Sequence, residues 1–269
     1  MIADAIENLV GDWAKVTSLM GPGVDPHLYK ATQGDLTKLQ KADLIFYNGM
    51  YLEGKMEDVL ERLAKKKPVK AITDNIPASR RLPLEEDGHT VTDPHVWFDV
   101  KLWESGVSTI VKKLVTLYPK HEGEIEDNAK AYIQKLDALH EQVKSEIANI
   151  PVNQRILITS HDAFGYFERA YNIEVKALQG LSTVTEFGLK DLTNLVNLIT
   201  EKKIPAIFVE SSVASKPMEA IVKGCKEKGH DVKIGGVLYS DAMGEYGTKE
   251  GTYLGMVEHN LRTITQALK

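Results

Sequence analysis

The histidines of this chain sit where metal chemistry would want them. Asp25-Pro26-His27 follows the turn Gly21-Pro22-Gly23, and a second copy, Asp93-Pro94-His95, follows the loop stretch Glu85–Thr92. Proline fixes its own φ and biases the preceding residue toward extended backbone, so each histidine is presented on a stiffened segment. The aspartate two residues earlier is placed to accept the second ring N–H, as carboxylates behind metal-ligating histidines do. His161 ends the apolar run Arg155–Ser160 between two polar neighbours, Ser160 and Asp162. That is where parallel sheets place their ligands. Asp241 and Glu210 also follow strand-like runs. Three histidines with one such carboxylate suit Zn²⁺ or Mn²⁺, and Asp241 is one strand-end candidate among several. His121, His140, His230, His259 and His89 lie on helices, after a glycine or in a polar loop, and are expected at the surface.

Other chemistries fit these residues less well. A zinc hydrolase needs an open coordination position and a base, for which Glu210 is the one candidate, and no H-E-x-x-H occurs. Neither G-x-G-x-x-G nor G-x-x-x-x-G-K-[ST] is present, which argues against a nucleotide site. The balance of 33 basic against 38 acidic residues, net −5, argues against nucleic acid as partner. The single cysteine, Cys225, excludes an internal disulfide and a cysteine zinc cluster. No apolar run approaches the roughly 20 residues of a membrane span, and no signal peptide is visible. Nothing in the sequence identifies a surface for adhesion to host protein.

The elements that must position these groups alternate along the chain. Helix patterns cover the Ile2–Val10 region, Thr32–Lys41 (with Thr32 and Asp35 as a capping box), Lys55–Ala64, Asp99–Leu117, Ala163–Tyr171, Thr185–Lys203, Lys216–Lys228 and Thr252–Leu268. Strand patterns cover Ala14–Met20, Ala42–Tyr47, Val69–Thr73, Arg155–Ser160, Glu174–Leu178, Ala206–Val209 and Val232–Leu238. Such alternation predicts an α/β fold with mainly parallel sheets flanked by helices. Between the halves, Lys120–Ile150 carries apolar residues at spacings of three and four, from Ile125 to Ile147. At 1.5 Å per residue this is a helix of about 45 Å, which we read as a spine joining two doubly wound lobes. The expected division is residues 1–119, the spine 120–150, and residues 151–269. An ordinary long helix within a single domain is the alternative.

The blocks Gly21–His27, Asp93-Pro94-His95-Val96-Trp97-Phe98, Ser160-His161-Asp162-Ala163-Phe164, Phe208–Ser212 and Tyr239–Gly244 occur in order over essentially the whole chain. In this the sequence resembles the manganese- and zinc-binding receptors of ABC transporters, the TroA-like and MntA-like lipoproteins. The resemblance implies two α/β lobes with the metal between them, His27 and His95 coming from the first lobe and His161 and Asp241 from the second. It also implies Mn²⁺ or Zn²⁺ as cargo and a membrane permease as partner. The protein would be a monomer outside the cytoplasmic membrane, lipid-anchored or periplasmic, and not an enzyme. Relatives carry an anchoring cysteine and a first strand ahead of the first helix, so the expectation is a chain shortened at its start. Zinc-specialised relatives carry a long His-rich loop. Here Glu85–Thr92 is short and holds only His89, which tilts the expectation toward manganese.

Overall fold

The computed structural model describes residues 1–86 and 88–269. Helix α1 (Ile2–Val10) is followed by irregular chain through the first Asp-Pro-His segment. Then come α2 (Gln33–Lys41), β1 (Ile45–Tyr47), α3 (Glu57–Ala64) and β2 (Val69–Ala71), with β1 and β2 parallel. An antiparallel hairpin, β3 (Pro83–Glu86) and β4 (His89–Thr92), leads through the second Asp-Pro-His segment into α4 (Val100–Leu117). Helix α5 (Glu122–Ala148) crosses to the second half: β5 (Ile156–His161), α6 (Gly165–Tyr171), β6 (Glu174–Gln179), α7 (Leu189–Lys202), β7 (Ala206–Glu210), α8 (Lys216–Glu227), β8 (Lys233–Leu238) and α9 (Tyr253–Leu268). Strands β5 and β6 are parallel, as are β7 and β8, and β5 lies beside β7. The result is an α/β fold of two lobes with mainly parallel pairing.

The second-lobe strands show why apolar runs without alternation became buried strands. Every residue of β5 and β7 is buried, as expected for parallel strands covered on both faces. Alternate residues divide between two cores. Ile156, Ile158, Ile207 and Val209 meet Leu195, Val196 and Ile199 of α7 and Met218, Ile221 and Cys225 of α8. Leu157, Ala206 and Phe208 face the larger core that also holds Met256, Leu261 and Ile264 of α9. Cys225 is therefore a core thiol.

Helix α5 is the spine expected from periodicity. Ile125, Ala129, Tyr132, Leu136, Leu139, Val143 and Ile147 form its buried stripe. The stripe packs against α1 and α4 from the first half and against α6 and α9 from the second. One continuous core therefore runs through both halves, from Leu9 and Trp103 to Phe164 and Tyr253. At 1.5 Å per residue its 27 residues span about 40 Å. The Thr32 cap also forms as expected: Thr32 Oγ1 accepts from Asp35 N at 3.2 Å while Asp35 Oδ2 accepts from Thr32 N at 3.0 Å.

Three expectations fail locally. Ala14–Met20 is not a strand, because no neighbouring strand among the described residues supplies it with a ladder. Glu85–Thr92 is not a free loop, since residues 83–86 pair with 89–92 and Gly88 has a φ of 77°, while Asp87 within the expected loop lies outside the described residues. The helix expected from Thr185 begins only at Leu189. There the Asp191 carboxylate accepts the Gly188 N–H at 2.8 Å and caps the helix four residues late.

Leu136, fully buried on α5, is the test of the spine. Leu136→Ala should destabilise the protein by about 2–5 kcal/mol. Lys144→Ala, on the exposed face of the same helix, should change stability by no more than about 0.5 kcal/mol. Chemical denaturation of both variants measures the difference.

Candidate metal centre

His95, His161 and Asp241 sit close to the end or start of a regular element, whereas His27 stands in the irregular chain between α1 and α2. In both Asp-Pro-His copies the aspartate bends the chain onto itself: Asp25 Oδ1 accepts from His27 N at 2.8 Å, and Asp93 Oδ1 accepts from His95 N at 2.9 Å. This local carboxylate-to-backbone turn, stiffened by the intervening proline, is why the tripeptide recurs. The copies then diverge. Asp93 Oδ1 also meets His95 Nδ1 at 2.7 Å and orients the ring, as expected. Asp25 does not orient the His27 ring, because its second oxygen is taken by the Thr183 hydroxyl at 2.5 Å, from the loop after β6.

His161 is the last residue of β5 and Glu210 the last of β7. Glu210 Oε2 meets His161 Nδ1 at 2.5 Å, and Oε1 accepts from Ser160 N at 2.7 Å and from His161 N at 3.0 Å. The carboxylate thus bridges two strands that share no ladder bonds at this point and sets the ring tautomer. With both oxygens occupied and only 4% of the residue exposed, Glu210 is unsuited to the catalytic base considered above. Asp241 lies just beyond β8. The segment before it is fixed by the Asn260 side chain, whose Oδ1 accepts from Tyr239 N while its Nδ2 donates to Tyr239 O. The Trp97 indole donates to Ser240 O at 2.9 Å and ties this segment to the second Asp-Pro-His region.

The structure brings His27, His95, His161 and Asp241 together, with one donor atom from each lying within 4.8 Å of all the others. His27 Nε2 is 3.3 Å from His95 Nε2 and 3.7 Å from Asp241 Oδ2. His161 Nε2 is 3.3 Å from Asp241 Oδ2, and His95 Nε2 is 3.5 Å from Asp241 Oδ1. A tetrahedron with bonds of about 2.0–2.1 Å has edges of about 3.3 Å, so these separations match a closed zinc-like shell. Both oxygens of Asp241 face imidazoles, which also allows two-oxygen binding and five donors in all. The side chains of His95, His161 and Asp241 are fully buried. His161 Nε2 and both Asp241 oxygens have no hydrogen-bond partner. Buried polar atoms are rarely left so, and three converging at one point fit the coordination of a cation.

Burial pulls His27 down to about 3, and the neighbouring His95 and His161 add to this against the pull of Asp241. Its ring is therefore neutral at physiological pH and ready to coordinate. Burial would lower His161 too, but Glu210 and Asp241 override it and raise the group well above its usual value. Asp241 is held below the ordinary carboxylate range, the three imidazoles outweighing its burial.

The remaining histidines were expected at the surface, and only His89 is fully exposed there. His121 is half-buried and stacks on Trp13 with ring centroids 4.1 Å apart. Half-buried His140, His230 and His259 each have a local partner: the Tyr171 hydroxyl, Ile204 O and Val237 O respectively. None of these five joins the cluster. Thr183, Asn260 and Asn48, which brace the segments carrying the site, stand in no local motif that singles them out.

In metal-free protein, His161 should titrate above the usual imidazole range, because Glu210 and Asp241 favour its charged form. Glu210→Gln should shift its titration to lower pH. Imidazole ¹⁵N NMR across a pH series checks this, and a neutral His161 at pH 7 in the unmodified chain would contradict the electrostatics described.

The family described as zinc-uptake complex component A, periplasmic, matches residues 1–267. The manganese-binding lipoprotein MntA of Bacillus subtilis is 54% identical over 268 residues, which cover 100% of this chain and 87% of that protein. The zinc-binding protein TroA of Treponema pallidum is 49% identical over the same length. Its solved structure superposes with a TM-score of 0.97, covering 100% of this chain and 96% of that one. Fe(III)-bound YtgA from Chlamydia trachomatis, 26% identical, superposes with a TM-score of 0.89 over 99% of this chain and 94% of its own. Family model, sequence and structure agree over the whole length, and the chain belongs to the zinc-uptake component A family, the metal-binding receptors of ABC transporters.

Proposed function

We propose that His27, His95, His161 and Asp241 together hold one divalent transition metal, Mn²⁺ or Zn²⁺, as cargo to be handed to an ABC permease. The observation carrying this is the convergence of three buried, unpartnered donor atoms with the His27 and His95 nitrogens, each residue offering a donor within 4.8 Å of the others. Members of this family are transport receptors rather than enzymes. The manganese and zinc named for its relatives are the two ions a His₃Asp set of this geometry suits. Residues 1–119 supply two ligands and residues 151–269 the other two, with 120–150 as the spine, so the metal closes the lobes on each other. The site is complete within one chain, which supports a monomer as the working unit. No helix among the described residues is long and apolar enough to cross a membrane. Attachment outside the cytoplasmic membrane through a lipid anchor, as relatives named lipoproteins suggest, is part of this proposal.

Manganese is the cargo we favour, because the closest features to a zinc-specialised pattern, a long histidine-rich segment, are replaced by the short β3–β4 hairpin. Affinity will nevertheless rank the ions the other way, since Zn²⁺ stands above Mn²⁺ in the general order for nitrogen and oxygen sites. Calorimetry of stripped protein should give one metal per chain, with Zn²⁺ bound more tightly than Mn²⁺. Single alanine substitutions at His95, His161 or Asp241 should each weaken either ion strongly, and unchanged stoichiometry and affinity in all three would reject the site. The metal in protein recovered from its native envelope, beside Mn and Zn uptake by cells lacking it, decides the cargo.

The protonation states set the pH dependence. At pH 7 a metal must displace the proton held on His161, whereas His27 is already neutral. Affinity should therefore fall by about tenfold per unit of acidification below the raised His161 pKa, one proton being released per ion. Titration in buffers of different ionisation enthalpy reads that proton directly. Release of none at pH 7 would mean that His161 is already neutral before the metal binds and would overturn this pH dependence.

A further inference from the structure

The loop after β1 holds a strained turn that the ligand cluster does not explain. Gly49, Met50 and Tyr51 all have positive φ, at 88°, 53° and 65°. Glycine adopts this left-handed region freely, but methionine and tyrosine do not, and three in succession persist only where the surroundings over-determine them. At Gly49 a side chain is also excluded, because a Cβ there would lie 2.8 Å from Thr73 Oγ1 and 2.9 Å from Ala71 Cβ.

Buried Glu53 closes this turn. Its Oε1 accepts from Asn48 N at 2.7 Å and its Oε2 from Gly49 N at 3.1 Å. Burial pushes the carboxyl up to about 6 despite these two donors, so the group is held in place at a cost. Asn48, 2% exposed, is gripped from a second side, for its carbonyl accepts from the Thr73 hydroxyl at 2.6 Å. The Asn48 amide then reaches across the lobe: Nδ2 donates to Pro94 O at 2.9 Å, next to His95, and to Gly49 O at 3.1 Å. With both N–H groups directed at carbonyls the amide cannot flip, and its Oδ1 is left buried and unpartnered. An apolar residue would avoid that orphaned oxygen but could not hold Pro94.

We propose that Asn48 and Glu53 are positioning residues for His95. Glu53 locks the left-handed turn, the turn aims the Asn48 amide, and the amide fixes the Pro94 carbonyl from which His95 projects. The hairpin and α6 grip the other end of the same tripeptide, through Leu82 O accepting from Asp93 N and the Tyr166 hydroxyl donating to Asp93 O. His95 is thereby held from both sides, within the few tenths of an ångström that a closed coordination shell tolerates. This inference rests on His95 being a metal ligand.

The test uses Co²⁺, whose visible absorption reports coordination geometry, on the stripped full chain. Asn48→Ala should weaken Co²⁺ binding by about tenfold and change the absorption bands, and Glu53→Gln should do so by several-fold, as groups behind metal ligands do. Asn48→Asp, which leaves the backbone grips intact but turns a carboxylate toward Pro94 O, should weaken binding at least as much as Asn48→Ala. Asn75→Ala, which removes a half-buried side-chain bond to Thr109 in the same lobe, should leave affinity and spectrum as they are. Thermal melting of each metal-free variant separates misfolding from misplacement, and the isosteric Glu53→Gln and Asn48→Asp carry the test where Asn48→Ala melts too low. His95→Ala is the reference arm. If it abolishes binding while the folded Asn48 and Glu53 variants keep the affinity and spectrum of the unmodified chain, the positioning role is overturned. If His95→Ala binds Co²⁺ as the unmodified chain does, the ligand assignment falls, and this inference with it.

Discussion

A carboxylate buried among three imidazoles, with both its oxygens unpaired, is the constraint around which this structure is arranged. Taking such a group out of water is costly unless charge or hydrogen bonds replace the lost hydration. Within the protein the replacement is partial: the nitrogens of His27, His95 and His161 approach Asp241 at 3.3–3.7 Å, yet none makes a proper hydrogen bond to it. A divalent cation at their centre would satisfy all of them at once. The polarity of the cluster thus suits a metal, and the folded chain supplies the rigidity that keeps the donors from collapsing onto each other.

That rigidity comes from a surrounding layer of hydrogen bonds, most of which cross between elements far apart in sequence. Glu210 holds the His161 ring and the backbone on either side of its peptide, and Asp93 holds the ring and backbone of His95. The lobes are tied near the site through Trp97 to Ser240, through Tyr253 to the Trp97 carbonyl, and through Tyr166 to Asp93 and Leu82. These bonds lie over the continuous core that α5 runs through, so the two halves are held together on that side irrespective of metal. The contact of Asp25 with Thr183 is different in kind: it joins two loops, is only partly buried, and involves a single hydroxyl. A receptor built in this way has a firm back and a lightly fastened front, in keeping with capture through small movements of loops and lobes around a rigid spine.

Much of this could be read from residue order. Periodicity identified α5 because a stripe repeating at three and four over 27 residues has no other stable reading. The buried strands β5 and β7 announced themselves as short apolar runs between polar turns. The Asp-Pro-His copies stood out because proline and the Asx turn act locally, within three residues. The elements misread are those where a partner distant in sequence decides. Residues 14–20 have strand composition but no ladder beside them, residues 85–92 found their pairing across a hairpin, and the Thr185 start of α7 gave way to a cap formed by Asp191. His121 and His140 are drawn partly into the fold by Trp13 and Tyr171, which no helical pattern foretells.

The same division separates what each level decided about the site. Residue types and short spacings by themselves indicated that histidines would be presented on stiffened segments and that a metal was the natural ligand, and they argued against nucleotide chemistry, because those properties depend on local stereochemistry and donor type. They left Asp241 one carboxylate among several. The family resemblance implied Asp241, and the tertiary structure separates it from Glu210 by setting the first with both oxygens bare among the imidazoles and the second with both oxygens bonded to the peptide and ring of His161. One acid ends β7 and the other follows the end of the neighbouring β8, and the two look alike in the chain. Burial, and the direction in which a strand end happens to point its side chain, are properties of the packed whole.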